Sequence, residues 1–144
     1  MKKLSIKTQI LSILTFASVI AFFSVQKPER FACLEFEVRV INGFTNNSSL
    51  PLVIWCTAEG GELGGRALQE GDDFSWNFKT NFWGTTHYLC TMKWEERRRK
   101  FDAFKFPRDI YRCSLFRKCS WLVTEDGFYF SNDEINWKKD FSWF

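Results

Sequence analysis

Residues 34–40 read Leu34-Glu35-Phe36-Glu37-Val38-Arg39-Val40, with an apolar side chain at every even position and a charged one at every odd position. A repeat of two is the period of an extended chain whose side chains point alternately to opposite faces, so one face meets a core and the other meets water. The alternation returns at Phe74, Trp76 and Phe78, and again at Tyr88, Cys90, Met92 and Trp94. Leu52 to Cys56 is continuously apolar, which predicts a central strand buried on both sides. Shorter runs follow at 101–106, 119–123 and 128–130, with a weaker one around Trp137. Segments 42–49, 59–65, 70–73, 107–109, 125–127 and 131–133 supply the Gly, Asn, Asp, Pro and Ser that turns require. No segment sustains a helical apolar stripe for three turns. The pattern predicts an all-β fold, a small single-domain β-sandwich of about seven or eight antiparallel strands. The 17 Phe, 7 Trp and 3 Tyr among 144 residues fit this, because rings suit a pleated, half-buried surface.

The chain ahead of this pattern has a different character. Lys2, Lys3 and Lys7 precede an uncharged apolar run from Ile10 to Val25, the arrangement of a secretory signal peptide. The run is shorter than the roughly 20 residues that span a bilayer, which favours a cleaved leader over an anchor. Ser24 and Gln26 suit the positions before the cut, giving a leader over 1–26 and a mature domain over 27–144. The leader holds three of the 20 Lys and Arg and none of the 17 Asp and Glu, so the mature chain carries 17 of each. A net charge of zero makes nucleic acid a poor partner, since phosphate binding needs surplus positive charge. Stable membrane insertion after leader removal is not expected either.

An exported chain meets oxidising conditions, and five cysteines follow the leader: Cys33, Cys56, Cys90, Cys113 and Cys119. Their spacing admits 15 two-bridge arrangements, so connectivity stays open. Cys33 lies at the entrance to the first strand and is the candidate free thiol; it also allows a Cys33-linked dimer of an otherwise monomeric protein. No Cys-x-x-Cys pair exists, and disulfides are preferred over zinc. The overlapping triplets beginning at Asn46 and Asn47 are N-glycosylation acceptors in a turn. Catalytic signals are weak. The single histidine, His87, falls on the face of its strand opposite Cys90 and Met92, and Glu59, Glu62, Asp72 and Asp73 lie in turn segments without a shared register. Neither an enzyme nor a cofactor or metal site is expected.

Recognition is then left to surface segments, because loops on a rigid scaffold commonly carry it. The candidates are Asn46, Glu59, Glu62, Arg97, Arg98, Arg99 and Asp133, with Arg97–Lys100 expected in a solvated turn behind Glu95 and Glu96. Trp83 and Trp143 are candidate exposed anchors, although core packing is the commoner role of an indole.

A longer ordered set of residues carries a resemblance. Val40-Ile41-Asn42, a strand ending at Cys56, Leu63-Gly64, Phe74-Ser75-Trp76-Asn77-Phe78, residues 82–86, Cys90-Thr91-Met92-Lys93-Trp94, Phe101-Asp102, Cys113, Cys119-Ser120-Trp121 and Asp126-Gly127 occur in turn. This resembles the plant self-incompatibility protein family, the S-protein homologues, across residues 34–138. The resemblance implies a secreted β-sandwich held by disulfides among four cysteines, which are Cys56, Cys90, Cys113 and Cys119 in this chain. It also implies a ligand for a cell-surface receptor, as in the stigma proteins that arrest incompatible pollen. A secreted defence protein acting directly on microbes is the alternative, and a secreted hydrolase a more distant one. Two features depart from the pattern: Cys33 is additional, and Glu59-Gly60-Gly61-Glu62 stands where family members often have a run of Asp.

Overall fold

A computed structural model describes Gln9, Ile10, Ser12, Ile13, Thr15 and residues 33–45, 50–113 and 115–144. The chain divides into two compact units, 1–30 and 31–144. The five described residues of the first are helical; the rest of the expected leader, and Asn46 and Asn47, lie outside the described residues. Among the described residues no helix is long and apolar enough to cross a membrane.

The described residues of the second unit form nine strands: β1 (Glu35–Asn42), β2 (Leu52–Ala58), β3 (Gly61–Leu68), β4 (Asp73–Lys79), β5 (His87–Trp94), β6 (Arg97–Lys105), β7 (Lys118–Val123), β8 (Phe128–Ser131) and β9 (Lys138–Phe141). A five-residue helix, α1 (Arg108–Arg112), lies between β6 and β7. Five strands form one sheet in the order β4-β1-β7-β8-β9, and four form the other in the order β3-β2-β5-β6. The sandwich expected from the alternation is therefore present, with two differences. One is the count. The other is that β1 pairs β7 in parallel, Glu37 opposite Lys118 and Asn42 opposite Val123, so the strands are not all antiparallel.

Alternation fixes what each sheet buries. Phe36, Val38 and Val40 of β1 point inward, as do Leu52, Ile54 and Cys56 of β2 and Cys90, Met92 and Trp94 of β5. Their rings meet between the sheets: Phe36 lies 5.2 Å from Phe104, and Phe101 lies 5.2 Å from Trp121. Trp121 is fully buried and its Nε1 donates to the Ala103 carbonyl at 3.0 Å, so its one polar group is satisfied. Every described buried hydrophobic residue falls between Phe36 and Trp143, as do both disulfides and all the strand pairings. Unit 31–144 therefore holds a complete core of its own, the requirement for independent folding.

Three local expectations need correction. Leu52–Cys56 is central but not buried on both faces, since Val53 and Trp55 are half-exposed on the outer side. Residues 61–65, expected as turn, begin β3; this strand is exposed except at Leu68, so it carries no apolar signal and is held by pairing with β2. Arg97–Lys100 likewise belong to β6, the turn being confined to Glu95 and Glu96.

Candidate recognition surface

Because β6 is extended, its basic run splits between two sides. Arg97 and Arg99 lie on the side of the strand that faces the other sheet, and both cover aromatic rings there. The Arg97 guanidinium sits 5.1 Å from the Trp94 ring and 5.4 Å from Phe144, and that of Arg99 5.1 Å from Phe141. These two cations seal apolar edges of the core rather than form a free patch. Arg98 points outward, opposite Lys93, and its guanidinium lies 5.0 Å from the ring of Trp55. Lys100 follows on the same outer face, opposite Thr91, which in turn faces Trp55.

No side chain stands directly opposite Trp55 on its other flank. Its partner on β3 is Gly65, where a Cβ would approach the Trp55 Cβ to 2.7 Å, so the two strands pack this closely only with glycine there. The gap left by Gly64 and Gly65 is a cavity of about 360 Å³ lined also by Trp55, Cys56 and Glu62. Glu62 reaches this place because the register shifts between Cys56 and Thr57, which sets Thr57 opposite it. The outer face of the four-stranded sheet thus offers an indole with a cation stacked on it, Lys93 and Lys100 alongside and a carboxylate at the cavity rim. The corresponding face of the five-stranded sheet is polar and paired internally. Arg39 bonds Asp73 at 3.1 Å and Glu134 at 3.0 Å, and Lys118 approaches Glu37 and Glu134.

The remaining sequence candidates sit elsewhere. Glu59 is at the β2–β3 turn and accepts a hydrogen bond from the Thr85 hydroxyl. Asp133, in the β8–β9 connection, accepts from the Asn136 and Ile135 backbone N–H groups, the Asn136 amide and the Ser131 hydroxyl, which hold its carboxyl far below the usual range. Beside it Glu134 is partly buried, which works against ionisation, but the Ser120 hydroxyl and Arg39 outweigh that and lower its pKa. Trp83 is exposed, whereas Trp143 is buried with its Nε1 donating to the Thr124 carbonyl at 2.8 Å. The structure therefore brings Glu62 and Arg98 to one face, and separates them from Arg97, Arg99, Glu59 and Asp133.

The candidate chemistry is dispersed in the same way. His87 Nε2 lies 2.5 Å from Asp102 Oδ1. The neighbouring hydroxyls are bonded elsewhere, Thr85 to the Asn81 amide and Glu59, and Thr86 to the Asn81 backbone N–H. Asp73 pairs with Arg39, and Asp72 accepts from the Gln69 backbone. Among the described residues no three His, Cys, Asp or Glu side chains are grouped to hold a metal ion. Cys56 is bonded to Cys90 across β2 and β5, Cys113 to Cys119 across the loop before β7, and Cys33 is exposed and unbridged.

Sequence reading missed the pairing of Trp55 with Arg98. The signal was the alternation inside Leu52–Cys56, which turns Trp55 away from Ile54 and Cys56, but an unbroken apolar run masks it.

Two sheets, an aromatic core and two bridges place the chain among small disulfide-braced all-β proteins. Residues 37–143 match the family described as plant self-incompatibility protein S1, and the chain belongs to that family. A self-incompatibility protein S1 from Papaver rhoeas is 31% identical over 105 residues, covering 71% of this chain and 73% of that protein. S-protein homolog 24 and S-protein homolog 2, both from Arabidopsis thaliana, are 30% and 33% identical over 100 and 90 residues. Those matches cover 68% and 60% of this chain and 65% and 55% of the two relatives, leaving more than a third of each relative unmatched. No solved structure matches the chain.

Proposed function

We propose that this is a secreted plant recognition protein, a ligand for a cell-surface receptor, which it meets through the outer face of the four-stranded sheet. The observation that carries the reading is the stacking of Arg98 on the half-exposed ring of Trp55. Trp and Arg are the residue types that dominate binding hot spots, and here the pair is already stacked before a partner arrives. Membership of the self-incompatibility family supports the recognition role. Removal of residues 1–26, one glycan at Asn46 or Asn47, and an unpaired Cys33 belong to the same reading, as does the lack of an enzymatic activity.

The first test is the intact mass of the protein recovered from plant-cell medium, after thiol alkylation and with and without deglycosylation. A product beginning near residue 27 with one alkylated thiol is expected, and a full-length chain retained in the cell would overturn secretion. The labelled product should then bind plant cells saturably, and Trp55→Ala with Arg98→Ala should reduce that binding by tenfold or more, the effect of losing roughly 1.4 kcal/mol or more. Undiminished binding by the folded double variant would remove the sheet face from the proposal.

A further inference from the structure

We infer that the free edge of β6 takes an acidic, extended peptide segment of a partner protein, which adds to the four-stranded sheet as a fifth strand. β6 ends the order β3-β2-β5-β6, so one side of it has no neighbour in the sheet. Its second half is engaged on that side by the chain itself. The Asp102 carbonyl accepts from Arg108, the Ala103 carbonyl from Trp121 Nε1, and the Lys105 N–H donates to Asp109. The first half is open. Along an antiparallel strand, residues alternate between bonding their partner and directing their N–H and C=O the other way. Asp102 turns its carbonyl away from β5, and by alternation Lys100 and Arg98, opposite Thr91 and Lys93, turn theirs the same way. Among the described residues no group outside the ladder bonds the backbone of Arg98 or Lys100. Unpaired groups in a row are a template for another strand.

The sandwich has room for that strand. The smaller sheet is one strand narrower than the five-stranded sheet it packs on. At the far edge β3 and β4 meet strand to strand. At this edge the outermost strand, β9, is met by side chains of β6: the Phe141 ring lies 5.9 Å from Phe101 and 5.1 Å from the Arg99 guanidinium. The narrower side is therefore the side on which β6 is open.

Charge decides what the segment is. The β5–β6 hairpin, residues 87–105, holds six cations, Lys93, Arg97, Arg98, Arg99, Lys100 and Lys105, against three carboxylates, Glu95, Glu96 and Asp102. Glu125, whose carbonyl accepts from Arg97, is a fourth carboxylate and still leaves the cations in excess. Around them Asp126 is matched by Lys139, and Asp109 and Asp140 by Arg108 and Arg112. Among the described residues none of the six cations is in an ion pair, whereas Arg39, Arg66, Arg108 and Arg112 all are. Arg98 and Lys100 share the outer face, so a strand bonded to this edge sets alternate side chains beside them there. Acidic residues at those alternate positions give two opposite-charge cross-strand pairs. The same cations bar a second copy of this edge, since antiparallel pairing would set like charges against each other. A polyanion without a peptide backbone would meet the charges and leave the N–H and C=O groups unpaired. The edge shares Arg98 and Lys100 with the Trp55 face, but strand addition does not rest on that face binding a receptor.

The test uses residues 31–144 and a fluorescein-labelled peptide, Ser-Glu-Val-Glu-Val-Glu-Ser, with binding read by anisotropy. The peptide should bind and should slow hydrogen exchange at the Arg98 and Lys100 amides, which face the open edge. The same peptide methylated on the backbone nitrogens of its glutamates keeps every charge but cannot bond the edge, and should bind roughly tenfold or more weakly. Arg98→Glu and Lys100→Glu should each weaken the unmodified peptide by roughly the same factor, with thermal melts establishing that the variants are folded. Trp55→Ala keeps the edge and should bind the peptide as the parent does, so failure here and failure of the cell-binding test are separate results. No binding by the parent, equal binding of the methylated peptide, or unchanged exchange at the two amides would overturn the inference. So would peptide binding lost in Trp55→Ala, which would assign it to the indole. A dimer that protects these amides without peptide would assign the edge to a second copy of the chain.

Discussion

Asp109 carries more of the fold than its place in a five-residue helix suggests. It is fully buried and accepts from the Lys105 backbone N–H at 2.7 Å, from Arg108 at 2.7 and 2.9 Å, and from Arg112 Nε at 3.0 Å. Arg112 extends the knot to Asp140 at 3.1 Å, and its guanidinium carbon lies 3.8 Å from the centre of the Phe130 ring. Removing the carboxylate leaves the Lys105 N–H without its acceptor and takes the buried counter-charge from both guanidinium groups, so Asp109→Ala should cost about 3–5 kcal/mol in urea denaturation. Asp133 gives a prediction in pH. Its carboxyl is depressed by donors that favour the charged form, so its contribution is complete above the unfolded pKa of about 3.9 and is lost only as pH falls below that towards the folded value. Glu134 is shifted in the same direction. The melting temperature should therefore hold level on mild acidification and drop below about pH 4, with a shallower drop in Asp133→Asn, as read by circular dichroism.

Among the elements, the two disulfides constrain very different lengths of chain, with sequence separations of 34 and 6. On the chain-entropy account, losing Cys56–Cys90 should cost about 4 kcal/mol and losing Cys113–Cys119 about 2, measured on the paired Ser variants. Equal costs would point to strain or residual unfolded structure instead. β3 offers a second element-scale test. Gly65→Val should destabilise by about 1–3 kcal/mol, because its side chain meets Trp55 and the β2 backbone. This strand also shows where sequence reading stops. β1, β4 and β5 were legible because Phe36, Val38, Val40, Trp76, Cys90 and Met92 face one core and their neighbours do not. An exposed edge strand such as Gly61–Leu68 has no buried face to print an alternation, and its three glycines read as turn. Arg97–Lys100 misled for a related reason: four cations suggest solvent, yet two of them cover rings at the edge of the core.

For the whole molecule, the fold class was legible and the proposed recognition surface was not. A core is written in one strand's own alternation, whereas the Trp55–Arg98 pair depends on β5 lying between β2 and β6. Trp55→Ala and Arg98→Ala should impair binding to cells non-additively in a double-mutant cycle, because the two side chains are stacked. The order in which the chain is synthesised has its own bearing on assembly. All four strands of the smaller sheet, and both cysteines that brace it, lie within 52–105, whereas β1 obtains its parallel neighbour only from 118–123. A nascent chain can thus finish and oxidise its second sheet while its earliest strand still waits beside β4 with one edge bare, and the final quarter of translation closes the beginning.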